Sequence, residues 1–486
     1  MLFRSQKGCL VPTVAGCASV SVFANGFNGA RVALTADQAG LKRDDRRTII
    51  GARWERDLDE RTTWRSALVW DNRDISQPTS ATSAVGTFPS FNATSDVTRK
   101  FERTTLYAGV FWNSEDIKSY SYNVTPGGNA TLGGLSTATF GSHANYGARL
   151  RGEFKLGEDW EAVAGVGAER TELSALQNAY GYPTSGAPTI ARVFADRTYT
   201  NVAPELSLTY RPAETFKAYA RVAAAYGTPQ ATNLFVTAAG VPGNNTTLDA
   251  QTMRGLDVGI EWVPAPAFSA TLTGFYEIFR NELVSQSAGA NLLSYTFNAP
   301  KSEHRGVEAA FEWRPFAGAR ATAAYLYNEQ TYEEYKERLS AGAFSKVFDR
   351  SGNLIPGVPK QTLNARIGYD APRGPLKGVG GFVETNWRES TFADNANLMK
   401  TPGYTLINAN LHYDPPEGHG ALSRTRFFVS AQNLTDRVYV SSASNVANSI
   451  SATTGALNGL TALQAATGSL YAGQPRTIVA GVKVKF

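Results

Sequence analysis

The sequence predicts an all-β protein, a transmembrane antiparallel β-barrel, and three features of its 486 residues carry that prediction. The first is the alternation of apolar and polar residues along many segments, which is the pattern of a strand with one apolar face. The second is a regular succession of short and long connections between those segments. The third is the last segment, 477–486, which alternates throughout and ends in Phe486.

Alternation runs through the chain from about residue 46. In the segment 146–156, Leu150 and Phe154 share one face while Arg149 and Arg151 share the other. The same pattern predicts strands at 160–168, 216–226, 256–262, 307–313, 363–369, 407–413 and 477–486. No stretch shows an apolar period of about 3.6 residues, which argues against helix bundles and alternating α/β folds. Aromatic residues stand at strand ends, where membrane girdles lie: Trp160, Tyr226, Trp262, Trp313, Tyr369 and Tyr413.

The composition agrees with a barrel and argues against two other classes of protein. Hydrophobic residues make up 42% of the chain, but the apolar runs are far shorter than the roughly 18 residues of a membrane-spanning helix. The net charge is only +5 and the basic residues are scattered, so no nucleic-acid partner is predicted. Both cysteines, Cys9 and Cys17, lie near the start, and a cysteine-free body suits an oxidising compartment.

The connections alternate in length, as tight turns on one side of a membrane and long loops on the other side require. Short connections are predicted at 57–61, 157–159, 211–215, 263–267, 314–318, 371–376 and 414–423, and long ones at 73–94, 173–197, 228–251, 284–300, 335–359, 391–402 and 439–473. Counting back from the last strand gives about 17 strands, or about 19 if 19–24 and 30–36 form a further pair. Bacterial single-chain barrels have even strand numbers, so an odd count predicts strands that are missing upstream or miscounted.

Residues 1–45 are ambiguous. The stretch 9–24 is weakly apolar and has the general shape of a signal peptide, but Pro12 and Gly16 dilute its core. The competing interpretation is that 1–45 contributes the first barrel strands and that the chain begins partway through a longer gene. The predicted domain organisation is therefore a segment 1–45, which is either a signal-like stretch or the first barrel strands, followed by a barrel at 46–486.

Several motifs occur in an order that resembles TonB-dependent outer-membrane receptors. The clearest lies near the end: Asn433-Leu434-Thr435-Asp436, then Tyr439, a long loop, and Gly473-Gln474-Pro475-Arg476 before the last strand. Three other stretches are similar to this family: Tyr219-Ala220-Arg221 followed by Tyr226-Gly227-Thr228-Pro229, Arg305-Gly306-Val307-Glu308, and Ile355-Pro356-Gly357-Val358-Pro359. The resemblance covers roughly 45–486 and is specific only in combination.

The resemblance implies a bacterial outer-membrane location and transport of a ferric siderophore or a similar metal chelate. It also implies a barrel of about 22 strands filled by an N-terminal plug, which carries the contact with TonB. Fewer than 45 residues precede the clear barrel, so we expect neither plug nor TonB box, and any contact with TonB only through a plug not present in this chain. Other expected partners are outer-membrane lipid, lipopolysaccharide and the barrel-assembly machinery. The end of the chain, with Val482, Val484 and Phe486, resembles the signal that this machinery recognises.

A receptor of this kind captures its ligand with side chains on the external loops and the upper lumen. Aromatic rings and arginines suit a planar, negatively charged chelate, because they stack and donate charge-assisted hydrogen bonds. The candidates are Tyr180, Tyr182, Phe235, Tyr332, Tyr335, Trp387, Arg388 and Phe392. For Trp387 and Tyr332 a place in the aromatic girdle or in loop packing is the competing interpretation.

No catalytic or metal-binding pattern is present in the sequence. The four histidines, His143, His304, His412 and His419, have no metal-ligand spacing, and no nucleotide-binding or hydrolase motif occurs. We therefore predict that the chain is not an enzyme and has no cofactor and no metal. Two alternatives to the receptor barrel stay open, a plugless diffusion porin and a non-functional receptor fragment.

Overall fold

The computed structural model describes residues 10–11, 30–31, 44–78, 82–124, 132–182, 186–287, 294–341, 344–416, 418, 420–443, 450–458 and 470–485. Outside the barrel, β1 (Leu10–Val11) pairs with β2 (Ala30–Arg31). The described part of the chain contains no helix that is long and apolar enough to cross a membrane.

Seventeen strands form a closed barrel in which neighbours along the chain are neighbours in the sheet. They are β3 (Asp44–Asp59), β4 (Thr62–Pro78), β5 (Thr82–Lys100), β6 (Thr104–Val124), β7 (Leu132–Lys155), β8 (Trp160–Gly181), β9 (Thr189–Ala213), β10 (Phe216–Gly227), β11 (Gln251–Ala265), β12 (Phe268–Ser287), β13 (Ser294–Trp313), β14 (Ala319–Glu334), β17 (Gln361–Asp370), β18 (Val379–Arg388), β21 (Tyr404–Tyr413), β22 (Thr425–Gln432) and β25 (Thr477–Val484). The predicted all-β fold and the predicted number of about 17 strands are confirmed.

Three strand pairs and two short helices lie in the described parts of the connections. The strand pairs join β15 (Lys336–Ala341) with β16 (Phe344–Asp349), β19 (Thr391–Phe392) with β20 (Lys400–Thr401), and β23 (Val440–Ala443) with β24 (Leu470–Ala472). The helices are 3-10 turns at Ala231–Leu234 and Gly420–Arg424. A further strand pair was predicted at 19–24 and 30–36. Of these residues, Ala30–Arg31 pairs with Leu10–Val11 and not with a barrel strand, and 19–24 lie outside the described residues.

Three of the predicted long connections are mostly strand. β4 continues to Pro78 and β5 begins at Thr82, inside the predicted connection 73–94. The tops of β8 and β9 likewise occupy most of 173–197, and the tops of β12 and β13 occupy most of 284–300. The backbone ladder of these strands continues beyond the predicted boundaries. At the tops of β8 and β9 the inner face is covered by the connection that follows β10, since Leu173 and Val193 are buried against it.

The two faces of the wall differ as the alternation predicts. Ile367 and Leu411 project outward and are 73% and 60% exposed, so the outer face is apolar where lipid surrounds it. A girdle of exposed aromatics stands near the short turns and comprises Trp160, Trp262, Trp313, Tyr369 and Tyr413. Exposed Trp70, Trp112, Tyr146 and Tyr276 stand nearer the long loops on the same face. We call the two rims the short-turn end and the long-loop end.

The ring closes between β25 and β3. Because seventeen is odd, these two strands run in the same direction, whereas each of the other neighbouring pairs is antiparallel with a defined register. β3 is exposed along its whole length, and no register joins it to β25 in the described part of the chain. Among the described residues, β25 and β3 are therefore the only neighbours in the wall without a paired register.

Candidate ligand-binding mouth and lumen

The lumen wall carries ion pairs that reach across an intervening strand. Asp96 on β5, Gly109 on β6 and Arg149 on β7 are in register, and all three positions face the lumen. Because Gly109 has no side chain, Arg149 Nη2 reaches Asp96 Oδ1 at 2.6 Å. We call such a contact a glycine-spanned bridge.

Three further contacts have this arrangement, and each links side chains two strands apart. They are Arg151 Nε with Glu205 over Gly165 (3.5 Å), Tyr219 Oη with Thr273 over Gly259 (2.9 Å), and His412 Nε2 with Asp370 over Gly380 (3.0 Å). Two other arginines of the lumen wall also meet acids on neighbouring strands. Arg221 reaches Glu205 at 3.2 Å, and Arg366 pairs with Glu384. The lumen of the described chain is thus lined by matched charges.

The connection 228–250 folds onto the inner wall at the long-loop end. Its Leu234 and Phe235 are 1% exposed and pack with Leu173 of β8 and Val193 of β9. Tyr199 Oη donates to the Leu248 carbonyl at 3.1 Å on the β9 side. This connection therefore has its own apolar core, and the ligand candidate Phe235 lies inside that core.

The same connection is also fastened to β13, on the other side of β10 and β11. Asn233 Nδ2 donates to Thr296 Oγ1 at 2.9 Å, and Asn245 Nδ2 donates to the Thr296 carbonyl at 2.6 Å. Because it is held at both β9 and β13, the connection lines the mouth above the short strands β10 and β11.

A buried polar network joins the connections after β14 and β18. Tyr332 is fully buried and donates from its hydroxyl to Asn395 Oδ1 at 3.1 Å. Asn395 Nδ2 in turn donates to Glu337 Oε1 at 3.0 Å, and Arg350 Nε donates to Glu337 Oε2 at 2.8 Å. The Tyr335 ring lies 4.6 Å from that of Tyr332. The candidates Tyr332 and Tyr335 thus serve loop packing in this structure.

Burial changes the acid–base properties of two loop groups in this network. It raises the pKa of the Tyr335 hydroxyl far above its ordinary range. Burial also raises the pKa of the Asp394 carboxyl, against the opposite effect of the backbone N–H groups that donate to it. Met399 N and Leu398 N are two of those donors, at 2.6 and 3.2 Å. Asp394 thus holds the tip of its loop by hydrogen bonds, although burial of its charged carboxylate is unfavourable.

Arg388 and Phe392 both bind the backbone of Gly357. Arg388 Nη2 donates to the Gly357 carbonyl at 2.7 Å, and Gly357 N donates to the Phe392 carbonyl at 2.8 Å. A second guanidinium nitrogen of Arg388 donates to the Ser441 carbonyl at 3.2 Å. Arg388 therefore fastens the top of β18 to two loops, whereas the Phe392 ring lies 4.7 Å below the Lys400 ammonium group.

The remaining candidates lie away from this loop cluster. Trp387 is in register with Leu363 and Thr405 on the outer face, so it belongs to the wall and not to the lumen. Tyr180 lies in the outward row of β8, opposite Ile190. Tyr182 is half-exposed at the top of β8 and donates to the Leu135 carbonyl at 2.9 Å. Trp387 thus lies where the girdle interpretation puts it, and its contact with a ligand stays a prediction.

Sequence reasoning did not find Glu337, Arg350, Asp394 and Asn395. They lie in or beside irregular loops, where no apolar period marks which side chain is buried. The described residues contain no cluster of three or more His, Cys, Asp or Glu side chains suited to a metal ion. At the end of the chain, Val482 and Val484 face outward and are 59% and 48% exposed, whereas Phe486 lies outside the described residues.

An apolar outer wall, a lumen lined by ion pairs and loops folded over one rim define a large outer-membrane receptor barrel. The chain belongs to the family described as "TonB dependent receptor-like, beta-barrel", whose model matches residues 18–434. It lies in the bacterial outer membrane, as this family does.

Several similar proteins carry names of receptors or transporters for iron chelates. The chain is 25% identical over 193 residues to the ferrichrome outer membrane transporter/phage receptor of Escherichia coli (strain K12), which is 39% of this chain and 23% of that protein. The ferric yersiniabactin uptake receptor FyuA from Yersinia pestis shares the fold with a TM-score of 0.64 at 14% identity. The siderophore receptor PiuA from Acinetobacter baumannii does so with 0.65 at 16% identity. The chain covers 62% and 65% of those two structures, and they cover 92% and 91% of it.

Proposed function

We propose that this chain forms the barrel through which a ferric siderophore or a similar metal chelate crosses the outer membrane. The observation that carries the proposal is the family match over 18–434. The names of the similar proteins support the ligand class, because they bind ferrichrome, ferric yersiniabactin and siderophores. Outer-membrane lipid, lipopolysaccharide, the barrel-assembly machinery that receives the last strand, and TonB, reached only through a plug, are proposed partners because the chain belongs to this family.

The surfaces available to a chelate lie around the folded loops. Tyr182 and the Phe392–Lys400 pair offer rings and positive charge there. Such groups bind a planar anionic chelate by stacking and by charge. Tyr332 and Tyr335 act beneath them by holding the loops in place.

Ligand binding to the purified full chain in detergent tests the proposal. Quenching of tryptophan fluorescence is followed as ferric hydroxamate, ferric catecholate or ferric citrate is added, with each iron-free chelator as the matched control. Saturable quenching by one ferric chelate, and none by its iron-free form, is the expected result. Quenching that is equal with and without iron, for all three chelates, would contradict the proposal.

A diffusion porin is the second candidate function, and one observation favours it. The connection 228–250 packs onto the inner wall, as a constriction loop of a porin does. Conductance in planar bilayers separates the two functions. A steady, large open pore without chelate binding favours the porin, and chelate binding without a steady pore favours the receptor.

A further inference from the structure

The upper part of β9 has a strand neighbour on one side only. Between Thr189 and Ala203 it pairs with β8, whereas its ladder with β10 ends at the pair Ala223 and Glu205. No backbone–backbone hydrogen bond from another part of the described chain reaches 189–203. The residues 189–203 therefore form a free strand edge, which is a template for pairing with another extended chain.

The wall has room for an added strand beside this edge. β10 ends at Gly227 and β11 begins at Gln251, whereas β9 and β12 continue above both of them. At about 4.8 Å per strand, the two absent strands leave about 14 Å between β9 and β12. The edge of β12 is already engaged, because Leu283 N donates to Gln251 Oε1 at 3.0 Å. The connection 228–250 packs on the inner face of β9 and leaves its outward side chains exposed.

One contact shows which backbone groups of β9 point to the open side. Asn244 Nδ2 of the connection donates to the Phe194 carbonyl at 2.5 Å. Because alternate residues of a strand bond to opposite neighbours, Phe194 and every second residue of 190–202 direct N–H and C=O to the open side. Pro204 belongs to the same series and has no N–H to donate, which agrees with the end of the β10 ladder beside it. The Asn244 amide thus occupies one position that the N–H of a pairing strand would take.

Most of the free edge stands above the bilayer. Thr200 lies in the cross-strand row of Tyr146, which is one of the exposed aromatics near the long-loop end. Beyond this row the outward side chains of β8 and β9 become polar, as at Glu172, Ser174 and Asp196. An occupant of this edge therefore comes from the external solution and not from the lipid.

The outward side chains along the edge have a defined order of charge. Phe194 is 56% exposed and continues an apolar row formed by Phe140 and Leu176 on the neighbouring strands. Arg192 and Asp196 lie two residues to either side of Phe194 on the same face, and neither has a partner among the described residues. A pairing strand therefore meets a base, an apolar ring and an acid at alternate positions.

We propose that the free edge of β9 binds an extended polypeptide segment of an extracellular protein, which adds to the wall as an antiparallel strand. Another extended backbone is the ligand that presents amides and carbonyls at the spacing of a strand edge. In antiparallel order the segment carries a basic residue opposite Asp196, then an apolar residue opposite Phe194, then an acid opposite Arg192. The site is separate from the chelate pathway through the lumen.

A synthetic peptide with this order tests the site on the purified full chain in nonionic detergent. The probe is Thr-Val-Thr-Lys-Thr-Phe-Thr-Glu-Thr-Ile-Thr, labelled with fluorescein and followed by fluorescence anisotropy. One control exchanges its Lys and Glu, and the other is N-methylated at its Phe and so lacks a backbone donor. We expect the probe to bind about tenfold more tightly than either control. Equal binding of the probe and the exchanged peptide, or no binding by any of the three, would overturn the proposal.

Hydrogen exchange distinguishes strand addition from docking through side chains alone. The amides of Arg192, Phe194, Asp196 and Thr198 point to the open side, whereas the intervening amides belong to the β8 ladder. The bound probe should slow exchange of the first set and leave the second set unchanged. Binding of the probe without this alternating protection would contradict strand addition.

Thr198→Pro removes one donor from the edge and leaves the β8 ladder intact, because the Thr198 N–H belongs to the open series. It should weaken binding of the probe about tenfold, whereas Thr198→Ala keeps the N–H and should bind as the unaltered chain does. Resistance of the folded barrel to unheated detergent confirms that both variants fold, and binding of a ferric chelate should not change in either. Unchanged binding of the probe by folded Thr198→Pro would overturn the placement of the strand.

The variant Arg192→Glu/Asp196→Lys tests the direction of pairing. It reverses the order of charge along the edge, so it should prefer the exchanged peptide to the probe. A general disturbance of the loops would weaken both peptides and would not reverse the preference. An unreversed preference in the folded variant would contradict the antiparallel register centred on Phe194.

Discussion

Inward-facing glycines determine which side chains of the lumen wall meet. Alternation alone predicts that Arg149 and Arg151 face the lumen, and the structure agrees. It does not predict that Arg149 meets Asp96, because that contact depends on the register of three strands. A single-sequence pattern defines the face of a residue but not its cross-strand partner.

Gly109→Ala tests the glycine-spanned bridge. An added Cβ would lie 3.1 Å from Asp96 Cγ and 3.2 Å from Arg149 Nε, so the pair must separate or the strands must shift. We expect a loss of about 1–3 kcal/mol in the free energy of unfolding, typical of overpacking. Urea unfolding of the barrel, followed by tryptophan fluorescence, measures it.

Gly167→Ala is the matched control for that substitution. Gly167 is in register with Arg149 on its other side, and an added Cβ there meets nothing within 4 Å. Its effect should be small. A loss as large as that of Gly109→Ala would mean that backbone freedom, and not the bridge, explains the result.

At the scale of elements, the structure differs most from expectation in the tall strands and the folded loops. The membrane-spanning part of β8 alternates clearly, but its top at Leu173 and Ala175 faces a loop core inside the mouth. The loops themselves are held by single buried polar contacts such as Glu337 with Arg350. At the top of β8 the outward row is polar, as at Glu172 and Ser174, and the loops have no period, so sequence reasoning placed connections where strands continue and did not find the buried pair.

The pair Glu337–Arg350 should decide whether the β15–β16 hairpin stays ordered. Glu337 is 5% and Arg350 8% exposed, so removing one charge leaves the other buried and unpaired. Glu337→Gln should therefore destabilise the hairpin by about 3–5 kcal/mol. Hydrogen exchange of the amides in 336–349 measures this local opening.

Lys336→Gln removes an exposed charge from the same hairpin and should leave exchange unchanged. The double variant Glu337→Leu/Arg350→Met should recover part of the protection, because no lone buried charge remains. Equal exchange in Glu337→Gln and the unaltered chain would show that the pair does not hold the loop.

Asp394 makes the stability of the loop after β18 depend on pH, and the sign of that dependence follows from the direction of its pKa shift. Its pKa in the folded loop is raised above the ordinary 3.8, so the folded loop binds a proton that the unfolded loop has already released. The stability of the loop should therefore fall as the pH rises through the folded pKa. Hydrogen exchange at Leu398 and Met399, corrected for intrinsic rates between about pH 4 and about pH 7, measures it.

Asp394→Asn removes the titrating group and keeps an acceptor oxygen for those two amides. It should abolish the pH dependence of their protection. Protection that rises with pH in the unaltered chain would show that the N–H donors outweigh burial.

At the scale of the whole molecule, alternation and connection parity together predict most of the fold. They indicate the barrel, its strand number and the two rims, because a bilayer imposes one apolar face on every strand. The closure between β25 and β3 is not predictable in this way, since parity forces those strands to be parallel. The β9–β10 ladder ends at the pair Ala223 and Glu205, next to Pro204, and predicting this end also requires the register as well as the sequence.

A lysine placed on either side of the wall tests whether the outer face contacts lipid. Val258 is 52% exposed and stands midway along the outward row of β11, between Trp262 and Arg254. In a lipid bilayer Val258→Lys should destabilise the barrel by about 2–4 kcal/mol, because a charge at that depth enters hydrocarbon.

Thr271→Lys is the control with the same charge. Thr271 is exposed on the lumen side of β12 and is in register with Glu261, whose carboxylate already pairs with Lys217 and can also receive the new ammonium group. We expect little loss there. Unfolding by guanidinium in bilayers compares the two variants, and in detergent micelles the difference should shrink, because water and detergent headgroups reach Val258 more easily. Equal losses for both variants in bilayers would contradict a lipid-facing outer wall, and with it the orientation on which the rims and the lumen depend.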